Sequence, residues 1–239
     1  MLEDILSLER NLFLWLNGCH TPFFDQFFWL YSGLKTWLPV ALVFLTAMFY
    51  KNFKHWRTLL LFVVAIALIF TICDQFSSHI CKPFFARYRP SHHPDFKDYV
   101  SLVFNYHGGL YGFISGHSAN SFGFATLTAL ALRYRPFSIS IFLWATINAY
   151  SRIYLGVHFI SDIVPGILSG IFFGWIVYKL YAFGENKLLT SGKETMTIRD
   201  LYSRSRLKLF LVTLLIFIVI MMIFSLLYST EIIPAITIR

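Results

Sequence analysis

The stretch TLLLFVVAIALIFTICDQFSSHI, residues 58–80, contains only one Asp, Glu, Lys or Arg residue, Asp74. A helix needs about 20 mostly apolar residues to cross the hydrocarbon core of a bilayer, so this stretch predicts a transmembrane helix. The whole chain has the same character. Of its 239 residues 57% are hydrophobic and 13% are charged, and its mean hydropathy is +0.63. A soluble domain carries about 25% charged residues, so the composition excludes a fully water-exposed surface.

Further apolar runs lie on both sides of this stretch, and together they predict an all-α, polytopic membrane protein. The predicted spans, about six in number, lie at about 27–50, 58–80, 113–132, 137–155, 158–182 and 207–229. Residues 1–24 are mildly amphipathic and too broken to span, so we expect a helix at the membrane interface. The chain then divides into this segment, a catalytic membrane core over 25–183, and a part over 184–239 that joins a basic segment to the sixth span.

The basic residues between the spans predict the orientation in the membrane. One face receives the loops 51–57, 133–136 and 184–206, which hold ten of the twenty Lys and Arg residues. By the positive-inside rule this face is cytoplasmic. The 81–112 loop then lies on the other face, which is periplasmic in a bacterial inner membrane. Because the charge is placed as a topology signal, the net charge of +8 does not indicate a nucleic-acid partner.

The first chemically informative cluster is KPFFARYRP, residues 82–90, at the exit of the second span. Taken alone, its cations Lys82 and Arg89 could be a snorkelling flank of the helix. They lie, however, on the face where the positive-inside rule disfavours cations. Their position therefore indicates that an anion is held there.

The second cluster is Ser115-Gly116-His117, at the start of the third span. A helix N-terminus presents free N–H groups and the positive end of the helix dipole, which together bind anions. Gly116 permits close approach of the backbone, and Ser115 adds a hydroxyl donor. Taken alone, the tripeptide is equally compatible with a surface turn.

The third cluster is SRIYLGVHFISD, residues 151–162, across the junction of the fourth and fifth spans. His158 and Asp162 are four residues apart, so on a helix they share one face. The carboxylate can accept the Nδ1–H bond and leave Nε2 free as a nucleophile. Such a pair is as often structural as catalytic. The nearby Arg152 favours phosphate chemistry.

The three clusters together read Lys-x6-Arg-Pro, Ser-Gly-His and Ser-Arg-x5-His-x3-Asp. Over roughly residues 22–182 this order resembles the type 2 phosphatidic acid phosphatase (PAP2) family of membrane lipid phosphatases, which are related to vanadium haloperoxidases. One departure is Ile114, where the family usually has proline before Ser-Gly-His. The resemblance implies a PAP2-like helical core and a metal-independent phosphatase that works through a phosphohistidine and needs no cofactor.

The resemblance also implies the role of each site residue. His158 would be the nucleophile, His117 the general acid and base, and Asp162 the residue that orients His158. The expected ligands of the substrate phosphate are Lys82, Arg89, Arg152, Ser115 and Gly116. The expected partners are a membrane lipid phosphate and the bilayer.

Several alternatives stay open. The substrate could be a polyprenyl diphosphate, a lipid A phosphate, phosphatidic acid or phosphatidylglycerol phosphate, and we favour the first two. A phosphotransferase would share the first half-reaction, and an anionic-lipid transporter is a more distant alternative. Five side chains of the long loop raise the question of a metal site, although their spacing matches no ligand pattern. They are His92, His93, Asp95, Asp98 and His107.

Overall fold

The computed structural model describes residues 2–230, and within this range the regular secondary structure is helical. The α-helices are α1 (Leu2–Asn17), α2 (Pro22–Ser32), α3 (Leu38–Phe49), α4 (Trp56–Gln75), α5 (Lys82–Phe85), α6 (Gly116–Leu132), α7 (Arg135–Tyr154), α8 (Ile160–Thr190), α9 (Ile198–Leu201) and α10 (Arg204–Ser229). A π-helical segment, Phe76–Cys81, joins α4 to α5. Short 3-10 turns occur at Leu34–Trp37, Phe53–His55, Pro90–His92, Lys97–Tyr99 and Val103–Asn105. The prediction of an all-α membrane fold is confirmed.

The long helices follow the order of the predicted spans, but not all could cross a membrane alone. Three helical stretches are long and apolar enough: Phe53–Phe85, Ile160–Thr190 and Arg204–Ser229. A fourth candidate is the pair formed by α2 and the stretch Leu34–Phe49, which is bent by 72°. The remaining long helices, α6 and α7, pack among their neighbours, and much of α6 is buried. The count of six spans is therefore approximate, because enclosed helices need less apolar surface.

The first predicted span, 27–50, is broken in the structure. Thr21 caps α2 by accepting a hydrogen bond from the Phe24 N–H at 3.2 Å, and Pro22 occupies its first turn. These are ordinary start signals of a helix, and they place the beginning of α2 inside the segment predicted to be interfacial. The predicted C-terminal part, 184–239, is described as far as residue 230; residues 231–239 lie outside the described range.

Close packing of α6 against α8 brings their N-termini together. Gly166, Gly170 and Gly174 lie one turn apart along α8, facing α6. A Cβ atom at Gly170 would lie 2.4 Å from the backbone oxygen of Ala119, so only glycine permits this approach. Small residues allow such close helix contacts in membranes. As a result the Ser115 N–H donates to the Asp162 carbonyl at 3.0 Å.

The N-terminal helix α1 packs on the bundle along one face. Phe13 is buried, and the Asn17 amide donates to the carbonyls of Ile153 and Tyr154 at 3.1 and 2.9 Å. The opposite face exposes Leu8 and Trp15. The helix is therefore fastened to the end of α7, beside the first and third motif clusters.

Candidate active site

The predicted His158–Asp162 pair is present, but not on one helix face. The fifth span was predicted to begin at 158, whereas α8 begins at Ile160, so His158 lies in the turn before it. Asp162, in the first turn of α8, folds back, and its Oδ2 accepts from the Phe159 N–H at 3.0 Å. The same oxygen lies 3.3 Å from His158 Nδ1. The two side chains therefore meet because Asp162 folds back over the first turn of α8, and not because residues four apart share a helix face.

Arg89 determines which nitrogen of His158 carries the proton. Its Nη1 lies 3.3 Å from His158 Nε2. A guanidinium only donates, so Nε2 is the acceptor and the proton resides on Nδ1, facing Asp162. Burial, reinforced by the charge of Arg89, lowers the pKa of His158 well below its usual value. The imidazole is therefore neutral near pH 7, with its Nε2 lone pair directed at a cation.

Arg89 is itself buried and held by backbone carbonyls. Its Nε donates to the Tyr111 oxygen at 3.1 Å, and Nη1 also donates to the Val157 oxygen at 3.3 Å. Burial, together with the nearby charge of Arg152, lowers the pKa of Arg89 to about 10. The group still carries its positive charge at neutral pH, so it can neutralise an anion.

Arg152 is a buried cation whose hydrogen-bonding capacity is not filled. It is 2% exposed, and within residues 2–230 its Nε has no hydrogen-bond partner. Its guanidinium lies over the ring of Tyr106, 5.8 Å from the centroid. Leaving a buried charged donor unpaired is costly, so the arrangement indicates an anionic ligand at this position.

Lys82 is the last of three hydrogen-bonded side chains that begin near the C-terminal end of α4. Its Nζ donates to Ser78 Oγ at 3.3 Å, and Ser78 Oγ donates to Asp74 Oδ1 at 3.4 Å. The three residues are spaced by four, so they share one helix face. This line of side chains accounts for the acidic residue inside the second predicted span. Lys82 also interacts electrostatically with Arg89 and Arg152, which places all three cations in one region.

The Ser115-Gly116-His117 cluster forms the N-terminus of α6. Ser115 Oγ accepts from the Ser118 N–H at 3.4 Å and from the Ser118 hydroxyl at 3.0 Å, which leaves its own proton available for donation. Gly116 is the first helical residue, where a backbone N–H has no partner within the helix. His117 is exposed on the bundle yet interacts electrostatically with Arg152, His158, Arg89 and Lys82.

Three residues that the motif analysis did not assign contact this site. Arg87 Nη1 donates to Asp162 Oδ1 at 2.9 Å, and its Nη2 donates to Glu9 Oε2 at 2.9 Å. A Cβ atom at Gly112 would lie 2.8 Å from Asp162 Oδ2, so this position must lack a side chain. Arg87 belongs to the cationic loop and could have been suspected from its charge. Glu9 gave no sequence signal, because it is far from the motifs along the chain.

The loop histidines and aspartates do not form a metal centre in the described part of the chain. Within residues 2–230 no group of three or more His, Cys, Asp or Glu side chains is arranged to hold an ion. The His92 and His107 rings lie 5.7 Å apart, and each contacts backbone carbonyls of the loop. His93 Nε2 instead lies 3.4 Å from Arg10 of α1.

Comparison with known proteins adds three findings. The model of the PAP2 superfamily matches residues 58–184, more than half of the chain. The lipid A 4'-phosphatase of Porphyromonas gingivalis is 48% identical over 188 residues, 79% of each chain, and that of Bacteroides thetaiotaomicron is 41% identical over 179 residues, 74% of this chain and 79% of the other. The crystal structure of Aquifex aeolicus LpxE has a TM-score of 0.52 and 29% sequence identity, covering 71% of this chain and 93% of that chain.

Proposed function

The chain belongs to the PAP2 superfamily and is an integral-membrane lipid phosphatase, and from this premise we propose that it removes a phosphate from lipid A through a phosphohistidine at His158. The observation that carries the mechanism is the buried, neutral His158, whose Nε2 faces Arg89 next to the unfilled donor of Arg152. The substrate rests on the similarity to two lipid A 4'-phosphatases, so the proposed position of cleavage is the 4'-phosphate.

The first half-reaction transfers the phosphoryl group to the enzyme. Lys82, Arg89 and Arg152 neutralise the non-bridging oxygens, with the Ser115 hydroxyl and the Gly116 N–H as further donors. Phosphoryl transfer depends mainly on positioning and charge stabilisation, so these cations fulfil the role that Mg²⁺ has in other enzymes. His158 Nε2 forms a bond to phosphorus while the bond from phosphorus to the lipid oxygen breaks. The negative charge of the bound phosphate favours the protonated form of His117, which gives its proton to that oxygen.

The second half-reaction releases phosphate. His117, now neutral, takes a proton from water as the water oxygen attacks phosphorus and the bond to His158 Nε2 breaks. His158 and His117 return to their starting protonation states, and the products are the lipid alcohol and inorganic phosphate. Asp162 holds the Nδ1–H of His158 throughout, which stabilises the positive charge on the phosphorylated ring.

The location that fits this function is the periplasmic face of a bacterial inner membrane. The basic segments 51–57, 133–136 and 184–206 favour a cytoplasmic face at the opposite end of the bundle. In this arrangement residues 1–24 form an interfacial segment, with Leu8 and Trp15 exposed toward the membrane, 25–183 form the catalytic core, and 184–239 add the last span.

A lipid panel tests the proposal. Purified protein in detergent is given lipid A, phosphatidic acid, phosphatidylglycerol phosphate or a polyprenyl diphosphate, each without an acceptor lipid. We expect lipid A to lose one phosphate, at the 4'-position by fragmentation mass spectrometry, with release of inorganic phosphate. His158→Ala is the matched control and should be inactive. Preferred turnover of another lipid would contradict the proposed substrate, and activity of His158→Ala would contradict the mechanism.

The alternative of a phosphotransferase is distinguished in the same assay. If the phosphohistidine passes its phosphoryl group to a second lipid, no inorganic phosphate is released: the substrate is dephosphorylated over many turnovers only when an acceptor lipid is present, and that acceptor becomes phosphorylated. The hydrolase predicts full release in the absence of any acceptor.

A further inference from the structure

Arg87 connects the proposed catalytic pair to the N-terminal helix. One arm of its guanidinium binds Asp162 Oδ1 and the other binds Glu9 Oε2, each at 2.9 Å. The guanidinium also lies over the ring of Phe159, 4.8 Å from the centroid. One cation therefore holds two carboxylates that are distant in sequence, and the fork geometry of arginine suits this double contact.

Glu9 uses both of its carboxylate oxygens. Oε2 accepts from Arg87, and Oε1 accepts from the Ser161 backbone N–H at 2.9 Å and from the Ser161 hydroxyl. Ser161 is the second residue of α8, and the residue preceding α8, Phe159, has no side-chain oxygen. Glu9 thus supplies from α1 the acceptor that an N-cap residue normally provides.

These contacts fix the orientation of the Asp162 carboxylate. Arg87 holds Oδ1, so Oδ2 is the oxygen that faces His158 Nδ1 at 3.3 Å. Rotation of the carboxylate would break both contacts. Asp162 is fully buried, so water cannot replace a lost partner.

The charges of the group favour a positive charge on His158. Arg87 alone would cancel the charge of Asp162. With Glu9 included, two carboxylates and one guanidinium leave one net negative charge beside the histidine. His158 gains positive charge when Nε2 bonds to phosphorus, and a nearby negative charge lowers the energy of that state.

We propose that Glu9 and Arg87 are positioning residues for His158 and Asp162, and that α1 is thereby part of the catalytic unit. This inference rests on the proposed function, because it takes His158 as the nucleophile. Glu9 lies outside residues 58–184, the range that matches the family model. Helix α1, which carries Glu9, therefore contributes a contact to the catalytic residues from outside the matched range.

Glu9→Gln is the direct test, because it keeps the size of the side chain and removes its charge. We expect kcat to fall by about 10–100-fold and KM to change by less than about threefold. A loss of this size is found when a residue that hydrogen-bonds to a metal ligand is replaced, which is a comparable positioning role. Rapid-quench measurement should show slower formation of the phosphohistidine. The control is Glu3→Gln, at an exposed position of the same helix, which should keep the kcat of the unchanged protein.

A double variant tests whether the two residues act in series. If Glu9 acts through Arg87, then Glu9→Gln combined with Arg87→Gln should cost no more kcat than Arg87→Gln alone. Additive losses would overturn the proposal, as would a Glu9→Gln protein with unchanged kcat per folded molecule. An inactive His158→Ala together with an unaffected Glu9→Gln would refute this inference only. An active His158→Ala would refute the proposed function itself.

Discussion

Two buried histidine–carboxylate pairs lie in different regions of this molecule, and their surroundings differ. His158 and Asp162 meet at the N-terminus of α8, with 3.3 Å between Nδ1 and Oδ2. His55 and Glu194 meet in the basic segments that border α4 and α8, with 2.9 Å between Nδ1 and Oε2. By distance alone the second pair would be the better candidate for a catalytic dyad, although the first pair is the more deeply buried one.

The two pairs differ in what surrounds the second ring nitrogen of the histidine, Nε2. His158 Nε2 faces Arg89, with Lys82 and Arg152 also within electrostatic range. His55 Nε2 is buried and has no hydrogen-bond partner in the described residues 2–230. The other carboxylate oxygen of Glu194, Oε1, accepts a hydrogen bond from the Arg57 N–H at 3.1 Å, which connects the segment after α8 to the start of α4. The two pairs therefore differ in the surroundings of the free nitrogen, and we expect only the pair beside the cations to react with a phosphate.

The largest effect on turnover is expected at Arg152, the buried cation whose Nε has no hydrogen-bond partner within residues 2–230. Arg152→Gln should lower kcat/KM by about 10³–10⁵-fold, as for an arginine that stabilises a transferring phosphoryl group. The free energy of unfolding should stay the same or rise, because no carboxylate among residues 2–230 pairs with Arg152. Kinetics and chemical denaturation of the purified protein measure both. Loss of folding at unchanged specific activity would make Arg152 a structural residue.

Next in size is the effect on the carboxylate of the first pair. Asp162→Asn should lower kcat by about 10³–10⁴-fold, as for the carboxylate of a serine-protease triad, because an amide no longer holds the proton on Nδ1. Single-turnover formation of phosphohistidine is the measurement. A loss below tenfold would show that Asp162 only caps α8.

The matched change in the second pair should act on stability alone. Glu194→Gln should lower the free energy of unfolding by about 1–3 kcal/mol, because an amide has one oxygen and cannot accept hydrogen bonds at both of the positions that the Glu194 carboxylate now uses. Denaturation in detergent measures this loss, and kcat per folded molecule should equal that of the unchanged protein. A specific loss of kcat would mean that the second pair communicates with the first, against the comparison.

The smallest expected effect is that of metal removal. Three fixed cations surround the proposed phosphate position, so turnover should be unchanged after exhaustive treatment with EDTA, and added Mg²⁺ should not restore or raise it. Turnover with and without chelator, on the same lipid batch, is the measurement. Complete loss of activity in EDTA would refute the metal-independent mechanism.

Much of the fold could be predicted from local sequence. A run of about 20 apolar residues is determined by the thickness of the bilayer, so residues 58–80 identified a membrane helix without any tertiary knowledge. The break between α2 and α3 was not predicted, although Gly33, Lys35 and Thr36 interrupt the apolar run there. The start of α8 was misplaced by two residues, since His158 and Phe159 look no different from helical residues in an apolar stretch.

The motif residues could also be recognised, because cations and a helix N-terminus are suited to bind phosphate and because the order of the three clusters resembles that of the PAP2 family. Sequence order and the membrane face together indicated that Lys82, Arg89 and Arg152 converge. The line from Asp74 through Ser78 to Lys82 was not recognised, although its spacing is helical. A single acidic residue within an apolar run has many explanations, and only contact distances select one.

The sequence by itself determined the membrane class, the order of the helices and the residue types that meet at the proposed phosphate site, since these follow from apolar length and from motifs that are local along the chain. Only the tertiary structure decided which histidine pair faces the cations, and that Glu9 reaches Asp162 through Arg87. Those contacts depend on how closely α8 approaches α6 at Gly170 and on where α1 packs. Such distances arise from the packing of distant segments, which no local pattern of residues encodes.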